Sequence, residues 1–426
     1  MKYLTLILLT VLLPATVSGG ERNITLEECL TKAEQSNPDL QSQKANVEEV
    51  KFKYLAQRGM LFPQLDTNLS YFRYGEELPS KKALFGTSLN DYYADVSLRQ
   101  VLFSGGKYHA LAKSARFIFE SEQQNLELAR KSVFLAVKRA YYEQARSNYS
   151  LKVQQELLDK LKEQLNITQL LYNSGKVSSL DVLKLQTQIA SAEDVFSSLK
   201  NLVQTRALLL GQVIGVNEPL FAEDVLPRIK ENIGISSFCL ENKFKDNPEL
   251  KYFAGSVARA ESEVSAARAD RFPTLTLRAN YYFEDKDFFP GNPNWYAGAG
   301  LSVPLFHGGG ISAQIGQAKA RQKQAVEALR RTELNLQVRF ESALATAADK
   351  RNRLKTTRKV MELSQEALNA SELKYNAGKL TALELIDAQT VWYNSLLTYE
   401  SNAIDYLITL AEIEYICPQA ISQEVQ

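Results

Sequence analysis

Residues 172–176 read Tyr172-Asn173-Ser174-Gly175-Lys176, and residues 375–379 read Tyr375-Asn376-Ala377-Gly378-Lys379, 203 positions later. Each segment ends a long stretch without helix breakers. From Lys107 to Asn173 there is no Pro and no Gly, and from Gln314 to Asn376 only Gly316 interrupts. Apolar and Ala residues recur there at helical spacing among Glu, Lys, Gln and Arg. That pattern predicts a helix of about 65 residues, roughly 100 Å long at 1.5 Å per residue. Gly175 and Gly378 then fall at the left-handed position that follows a helix. A second helix is expected to return, from about Ser179 to Gly211 and from about Ala382 to Tyr415.

Working outward, the whole chain repeats. Leu102-Phe103-Ser104-Gly105-Gly106 returns as Leu305-Phe306-His307-Gly308-Gly309, and Gln186-Thr187 as Gln389-Thr390, both at the 203 offset. Asn37-Pro38-Asp39-Leu40 returns as Asn247-Pro248-Glu249-Leu250, with Phe62-Pro63 as Phe272-Pro273, at an offset of 210. Cys29 and Cys239 keep that second register. The change of offset places a seven-residue length difference after Tyr74 or after Phe283. Thr25 and Glu28 form a capping-box signature. Asn37-Pro38 restarts a helix, Asn as cap and Pro in the first turn, running to about Gly59.

Between the Phe-Pro and Gly-Gly signals lie four strand patterns. Leu65, Thr67, Leu69 and Tyr71 alternate with Asp66, Asn68 and Ser70, and Tyr92, Ala94, Val96 and Leu98 with Tyr93, Asp95, Ser97 and Arg99. In the second half Leu275, Leu277, Ala279, Tyr281 and Phe283 oppose Thr276, Arg278, Asn280 and Tyr282. Trp295, Ala297, Ala299, Leu301 and Val303 then oppose Gly298, Gly300 and Ser302. About 10 to 12 residues of apolar/polar alternation suit a tilted membrane crossing. A single such strand reads as part of a soluble sandwich; four in duplicated positions of an exported chain read as membrane strands.

The fold class is therefore α+β, a duplicated helix-strand-strand-long helix-helix repeat. The expected division is a signal peptide at 1–20, repeat 1 at 21–215, a linker at 216–235, repeat 2 at 236–417 and a tail at 418–426. In repeat 1 the strands are expected at about 63–74 and 92–103, and in repeat 2 at about 273–284 and 295–305. The signal peptide rests on Lys2, the apolar run Leu4 to Leu13 and small residues near Gly19. No later stretch is apolar enough for a membrane helix, so a spanning part has to be built of strands.

Lys and Arg number 50 against 49 Asp and Glu, which excludes the broad basic field of a nucleic-acid binder. His109 and His307 are the two histidines and stand apart, against a histidine-based catalytic or metal site. No nucleophile elbow, phosphate loop or zinc motif occurs, so neither an enzyme nor a cofactor is expected. Cys29, Cys239 and Cys417 allow at most one internal disulfide and are read as three buried small hydrophobes.

Four strands cannot close a barrel, and an open edge is not tolerated in lipid. Two copies give eight strands and a filled interior; three give 12 and a lumen. The polar faces favour the trimer. The long helices would then form a hollow helical barrel; the alternative is a non-pore periplasmic coiled-coil protein.

The order of elements, the paired Tyr-Asn-x-Gly-Lys turns, the Phe-Ser-Gly-Gly and Phe-His-Gly-Gly strand ends, the Asn-Pro pairs and the segment Tyr375 to Gln389 resemble the TolC or outer-membrane-factor family over essentially the mature chain. The resemblance implies a homotrimer with a 12-stranded transmembrane β-barrel in the Gram-negative outer membrane, continuous with a long periplasmic α-helical barrel. It implies a passive conduit of a tripartite efflux pump or type I secretion system. The implied partners are a periplasmic adaptor (membrane fusion protein) and an inner-membrane transporter of RND, ABC or MFS type. Gly175, Lys176, Gly378 and Lys379 match the tips that meet the adaptor. Asp181 matches the gate aspartate and Tyr375 the tyrosine that bonds it across helices. Glu384 and Asp387 match two acidic positions that ring the entrance. They lie three apart on one helical face, and threefold repetition would concentrate negative charge, favouring cations and perturbing protonation. Read without the family, Glu384 and Asp387 are solvated helix residues and Tyr375 a packing residue. Two residues past the turn glycine, where the family's gate network has an arginine, stands Leu380.

Overall fold

The structure is a computed structural model that describes residues 23–76, 79, 89–225, 241, 244–288, 293–377 and 379–420. The expected signal peptide, the latter part of the expected linker, Cys239, Gly378 and the end of the tail lie outside the described residues. In chain order the elements are β1 (Asn23–Ile24), α1 (Leu26–Ser36), α2 (Pro38–Gly59), β2 (Gln64–Arg73), β3 (Asn90–Phe103), α3 (Lys107–Asn173) and α4 (Ser179–Ile214). Then come β4 (Phe221–Ala222), α5 (Pro248–Ala269), β5 (Thr274–Asp285), β6 (Pro293–Ser302), α6 (Gly310–Asn376) and α7 (Ala382–Ile416). A 3₁₀ turn covers Pro418–Ala420.

Local chemistry sets the helix starts. Thr25 Oγ1 accepts from Glu28 N at 3.2 Å, and Glu28 Oε2 accepts from Thr25 N at 3.2 Å, so two otherwise unpaired donors are satisfied together. The Asn-Pro pairs serve two helix ends at once. Asn247 Oδ1 accepts from Glu249 N at 2.8 Å while its Nδ2 donates to Ile416 O, in the last turn of α7, at 3.0 Å. Asn37 Nδ2 donates to Val213 O, in the last turn of α4, at 2.7 Å. Both asparagines are buried, where an unmet carbonyl at a helix end is costly.

The chain forms two compact units that do not follow the repeats. The first comprises Met1–Asn37, Ala136–Glu231 and Lys350–Ile408; the second comprises Pro38–Leu135, Asn232–Asp349 and Thr409–Gln426. The repeat is a division of sequence, while packing groups equivalent pieces of both halves.

In the first unit, Leu158 and Leu161 of α3 pack on Leu185, Ile189 and Ala192 of α4. Leu368 and Tyr375 of α6 pack on Ala382 and Leu385 of α7 in the same way. Each fully buried Leu contributes roughly 1.5–3 kcal/mol. Arg146 of α3 and Lys350 of α6 both bind Asp405 of α7, at 2.5 and 2.7 Å.

The second unit holds a four-stranded antiparallel sheet in the order β2-β3-β5-β6. β6 stops at Ser302, short of the expected 305, because Pro304 has no N–H to donate to the ladder. Gly105, at φ +62°, turns the chain from β3 into α3; a Cβ there would lie 2.6 Å from Phe272 Cβ. A separate core joins Phe244, Leu336, Phe340, Ile413, Ile416 and Cys417. Here one expectation is corrected. Cys417 is disulfide-bonded, whereas Cys29 is a buried free thiol that burial pushes up to about 12. Pairing depends on tertiary approach, which cysteine spacing does not encode.

Candidate functional site

Two places gather the predicted functional residues: the sheet of the second unit and the helix turns of the first.

The sheet is amphipathic in register. On one face Leu65, Thr67 and Leu69 stand opposite Leu98, Val96 and Ala94, and β5 and β6 continue the rows with Ala279, Tyr281, Phe283, Ala297 and Trp295. This apolar face is bare: Leu69 is 80 % exposed and Trp295 69 %. Aromatic rings gather toward one end, with Tyr71 and Tyr92 at 4.8 Å and Tyr92 and Phe288 at 5.7 Å. Phe62, Phe103 and Phe272 are exposed near the junctions with the helices. Ten residues at about 3.4 Å, tilted by about 40°, rise about 26 Å, matching the apolar band of outer-membrane strands. The other face is polar and internally bonded. Asp95 Oδ1 accepts from Asn68 N at 3.1 Å and from Asn68 Nδ2 at 2.8 Å, and the Tyr74 hydroxyl donates to Asp91 Oδ2 at 3.3 Å. The outer edges of β2 and β6 have no strand partner among the described residues. Among those residues, too, no helix is long and apolar enough to cross a membrane.

At the first helix turn, Lys176 N donates to Leu171 O at 2.9 Å and Gly175 takes φ +74°. That is the left-handed ending the turn sequence predicts. In the second half Lys379 N donates to Lys374 O at 2.9 Å, the same bond 203 residues on. Gly378 is outside the described residues. Lys176 and Lys379 are both exposed.

Two of the three predicted acidic residues, Asp181 and Glu384, serve helix caps. Asp181 Oδ2 accepts from Ser178 N at 3.1 Å and from Ser178 Oγ at 2.8 Å, and Asp181 N donates to Ser178 Oγ. Glu384 stands in the equivalent relation to Thr381, with bonds of 2.9 and 2.8 Å to its carboxylate. Donation from the Thr381 backbone N–H, then from its hydroxyl, holds the Glu384 carboxyl below the usual carboxylate range. Asp387 is exposed on α7, one turn on.

The cross-helix bond between Tyr375 and Asp181 is not made. The Tyr375 hydroxyl instead meets Thr168 Oγ1 at 3.1 Å, and Asp181 is occupied by its own cap. Tyr375 is 5 % exposed, whereas its repeat partner Tyr172 is 41 % exposed, so the two turns share the bond from the lysine N–H and differ in packing. Leu380 packs against the cluster around Tyr375, which explains an apolar residue at this position.

Sequence reasoning missed three features. Leu170 and Leu373, equivalent in the repeat, are 70 % and 73 % exposed beside the turns. Their matched spacing from the two Gly-Lys pairs was the available signal. The capping pattern Ser-x-x-Asp and Thr-x-x-Glu was also readable, and assigns Asp181 and Glu384 a structural duty. Glu400 of α7 left no trace in the sequence pattern. It is 1 % exposed, its Oε1 has no hydrogen-bond partner, and burial pushes its carboxyl up to about 9, against the lowering charge of Arg146.

The model of the family described as outer membrane efflux protein matches residues 29–216 and 240–416. The probable efflux pump outer membrane protein TtgC of Pseudomonas putida is 23 % identical over 376 residues, 85 % of this chain and 76 % of that protein. Outer membrane protein TolC of Escherichia coli is 22 % identical over 435 residues, 96 % of this chain and 85 % of that protein. Among solved structures, the CmeC outer membrane channel of Campylobacter jejuni aligns with a TM-score of 0.78 at 18 % identity, covering 94 % of this chain and 86 % of its own. The open state of the MtrE outer membrane channel of Neisseria gonorrhoeae aligns with a TM-score of 0.79 at 19 % identity, covering 94 % and 90 %. The fold is thus that of solved outer membrane channels. The chain belongs to the outer membrane efflux protein family: an outer-membrane protein with a periplasmic part, in a family of transport channels rather than enzymes.

Proposed function

We propose that three copies of this chain close a 12-stranded barrel in the outer membrane and that their long helices form the periplasmic tunnel of a passive export conduit. The observation that carries the reading is the amphipathic four-stranded sheet, bare on its apolar face and, among the described residues, without a strand partner at the outer edges of β2 and β6. An open edge in lipid leaves backbone groups unpaired at several kcal/mol each, so copies have to join edge to edge. Three copies leave a lumen for the polar face, where two would fill it.

The conduit serves a tripartite efflux pump or a type I secretion system, together with a periplasmic adaptor and an inner-membrane transporter. Relatives named for efflux pumps and for pyoverdine export support the coarser role. The adaptor docks on the turns at Gly175, Lys176, Gly378 and Lys379, flanked by the exposed Leu170 and Leu373. Asp181, Tyr375, Glu384 and Asp387 form the periplasmic gate. In that gate Asp181 and Glu384 fix the helix starts, while Asp387, exposed and in no capping bond, supplies free charge to the entrance.

Cross-linking of the purified protein in detergent tests the assembly: a ladder ending at three chains is expected, and one ending at a single chain contradicts it. For the gate, Asp387→Asn is expected to weaken cation selectivity and block by multivalent cations. Unchanged selectivity removes Asp387 from the gate.

A further inference from the structure

The polar face of the sheet contains one row unlike the others. Gln64 of β2 pairs with Arg99 of β3, Arg99 with Arg278 of β5, and Arg278 with Gly298 of β6. Two arginines are therefore direct cross-strand neighbours on one face. At such positions Cβ atoms lie about 4.5–5.5 Å apart, and like charges placed so close repel. Two carboxylates of this face are engaged: Asp95 is held by Asn68 and Asp91 by Tyr74. Arg99 and Arg278 are exposed, and among the described residues neither side chain has a hydrogen bond or ion pair. Asp66, one row away on β2, makes no ion pair with either. Beyond Arg278 the row opens onto free space, because a Cβ added at Gly298 would meet nothing within 4 Å.

We propose that Arg99 and Arg278 form a binding site in the lumen for anions bearing phosphate or clustered carboxylate groups. The guanidinium fork presents parallel N–H donors that match the oxygens of such groups, and two adjacent forks hold a multivalent anion better than either alone. An anion between them also relieves their mutual repulsion. The site rests on the pore reading above, which turns this face to the lumen and brings three copies of the row, six guanidinium groups, to one level.

The test uses the purified full-length protein in planar bilayers of zwitterionic lipid, so that no anionic headgroup competes. Inorganic pyrophosphate is the probe. Ionic conductance of the wild type is expected to fall with added pyrophosphate. In Arg99→Gln/Arg278→Gln half-block is expected to need at least about tenfold more, from the loss of charge-assisted hydrogen bonds. Arg99→Lys/Arg278→Lys keeps the charge without the fork and is expected to fall between. Wild-type conductance that is indifferent to pyrophosphate overturns the site and leaves the pore standing. Equal block of wild type and the double Gln variant also overturns it. A wild type that does not conduct at all overturns both readings.

Discussion

Glu400→Gln should flatten the fall in stability of this protein at alkaline pH. Glu400 is buried in α7, where the loss of solvent raises its carboxyl, the charge of Arg146 lowers it and that of Asp224 raises it further. Its carboxyl titrates near 9 in the folded chain, against about 4.5 when solvated. A folded-state value raised in this way means that stability is fully present below the unfolded pKa and is lost as pH rises through the folded one. The window therefore runs from about 4.5 to about 9, and each unit within it is worth ~1.4 kcal/mol. From pH 7 to pH 9 the wild type should lose about 2 kcal/mol that the neutral amide does not lose. Other titrating groups are common to both proteins and cancel in the comparison. The assay is the melting temperature of the detergent-purified protein across pH 6–9, wild type against Glu400→Gln. The curves should diverge as pH rises, with the variant gaining on the wild type. Parallel curves refute a buried neutral carboxyl at this position, whatever constant offset the amide introduces.

Two further substitutions test the joints of the fold. Gly105→Ala places a Cβ 2.6 Å from Phe272 Cβ at a backbone φ of +62°, which should cost at least about 1–3 kcal/mol and lower the melting temperature. Asn247→Ala removes both the cap on Glu249 N and the donor to Ile416 O. A loss of about 1–2 kcal/mol is expected by thermal melting, and Asn247→Asp should recover the cap but not the donor.

Much of the fold was readable because it rests on short-range chemistry. Gly105 and Gly175 mark turns that require positive φ, Thr25 and Glu28 cap each other, and the alternation from Leu65 to Tyr71 is a two-residue period. What stayed hidden depends on residues far apart in sequence. Thr168, the partner of Tyr375, lies 207 positions away, and nothing local distinguishes it from Asp181 as a partner. Tyr172 and Tyr375 occupy equivalent motifs and receive opposite burial, because equivalent turns pack against non-equivalent surroundings. The bonded state of Cys417 and the enclosure of Glu400 are likewise properties of packing. In the site, the acids at 181 and 384 were visible as acids. Their capping role was visible too, in Ser178 and Thr381 three residues earlier, and it competes directly with the cross-helix bond expected from the family.

The central claim is that this sheet closes, with copies of itself, around a water-filled pore. Single-channel recording of the purified full-length protein in planar lipid bilayers tests it most directly. Discrete, uniform conductance steps from a preparation that is trimeric by mass are the predicted result. A trimer that inserts and carries no current, or a protein that stays monomeric and soluble without detergent, contradicts it.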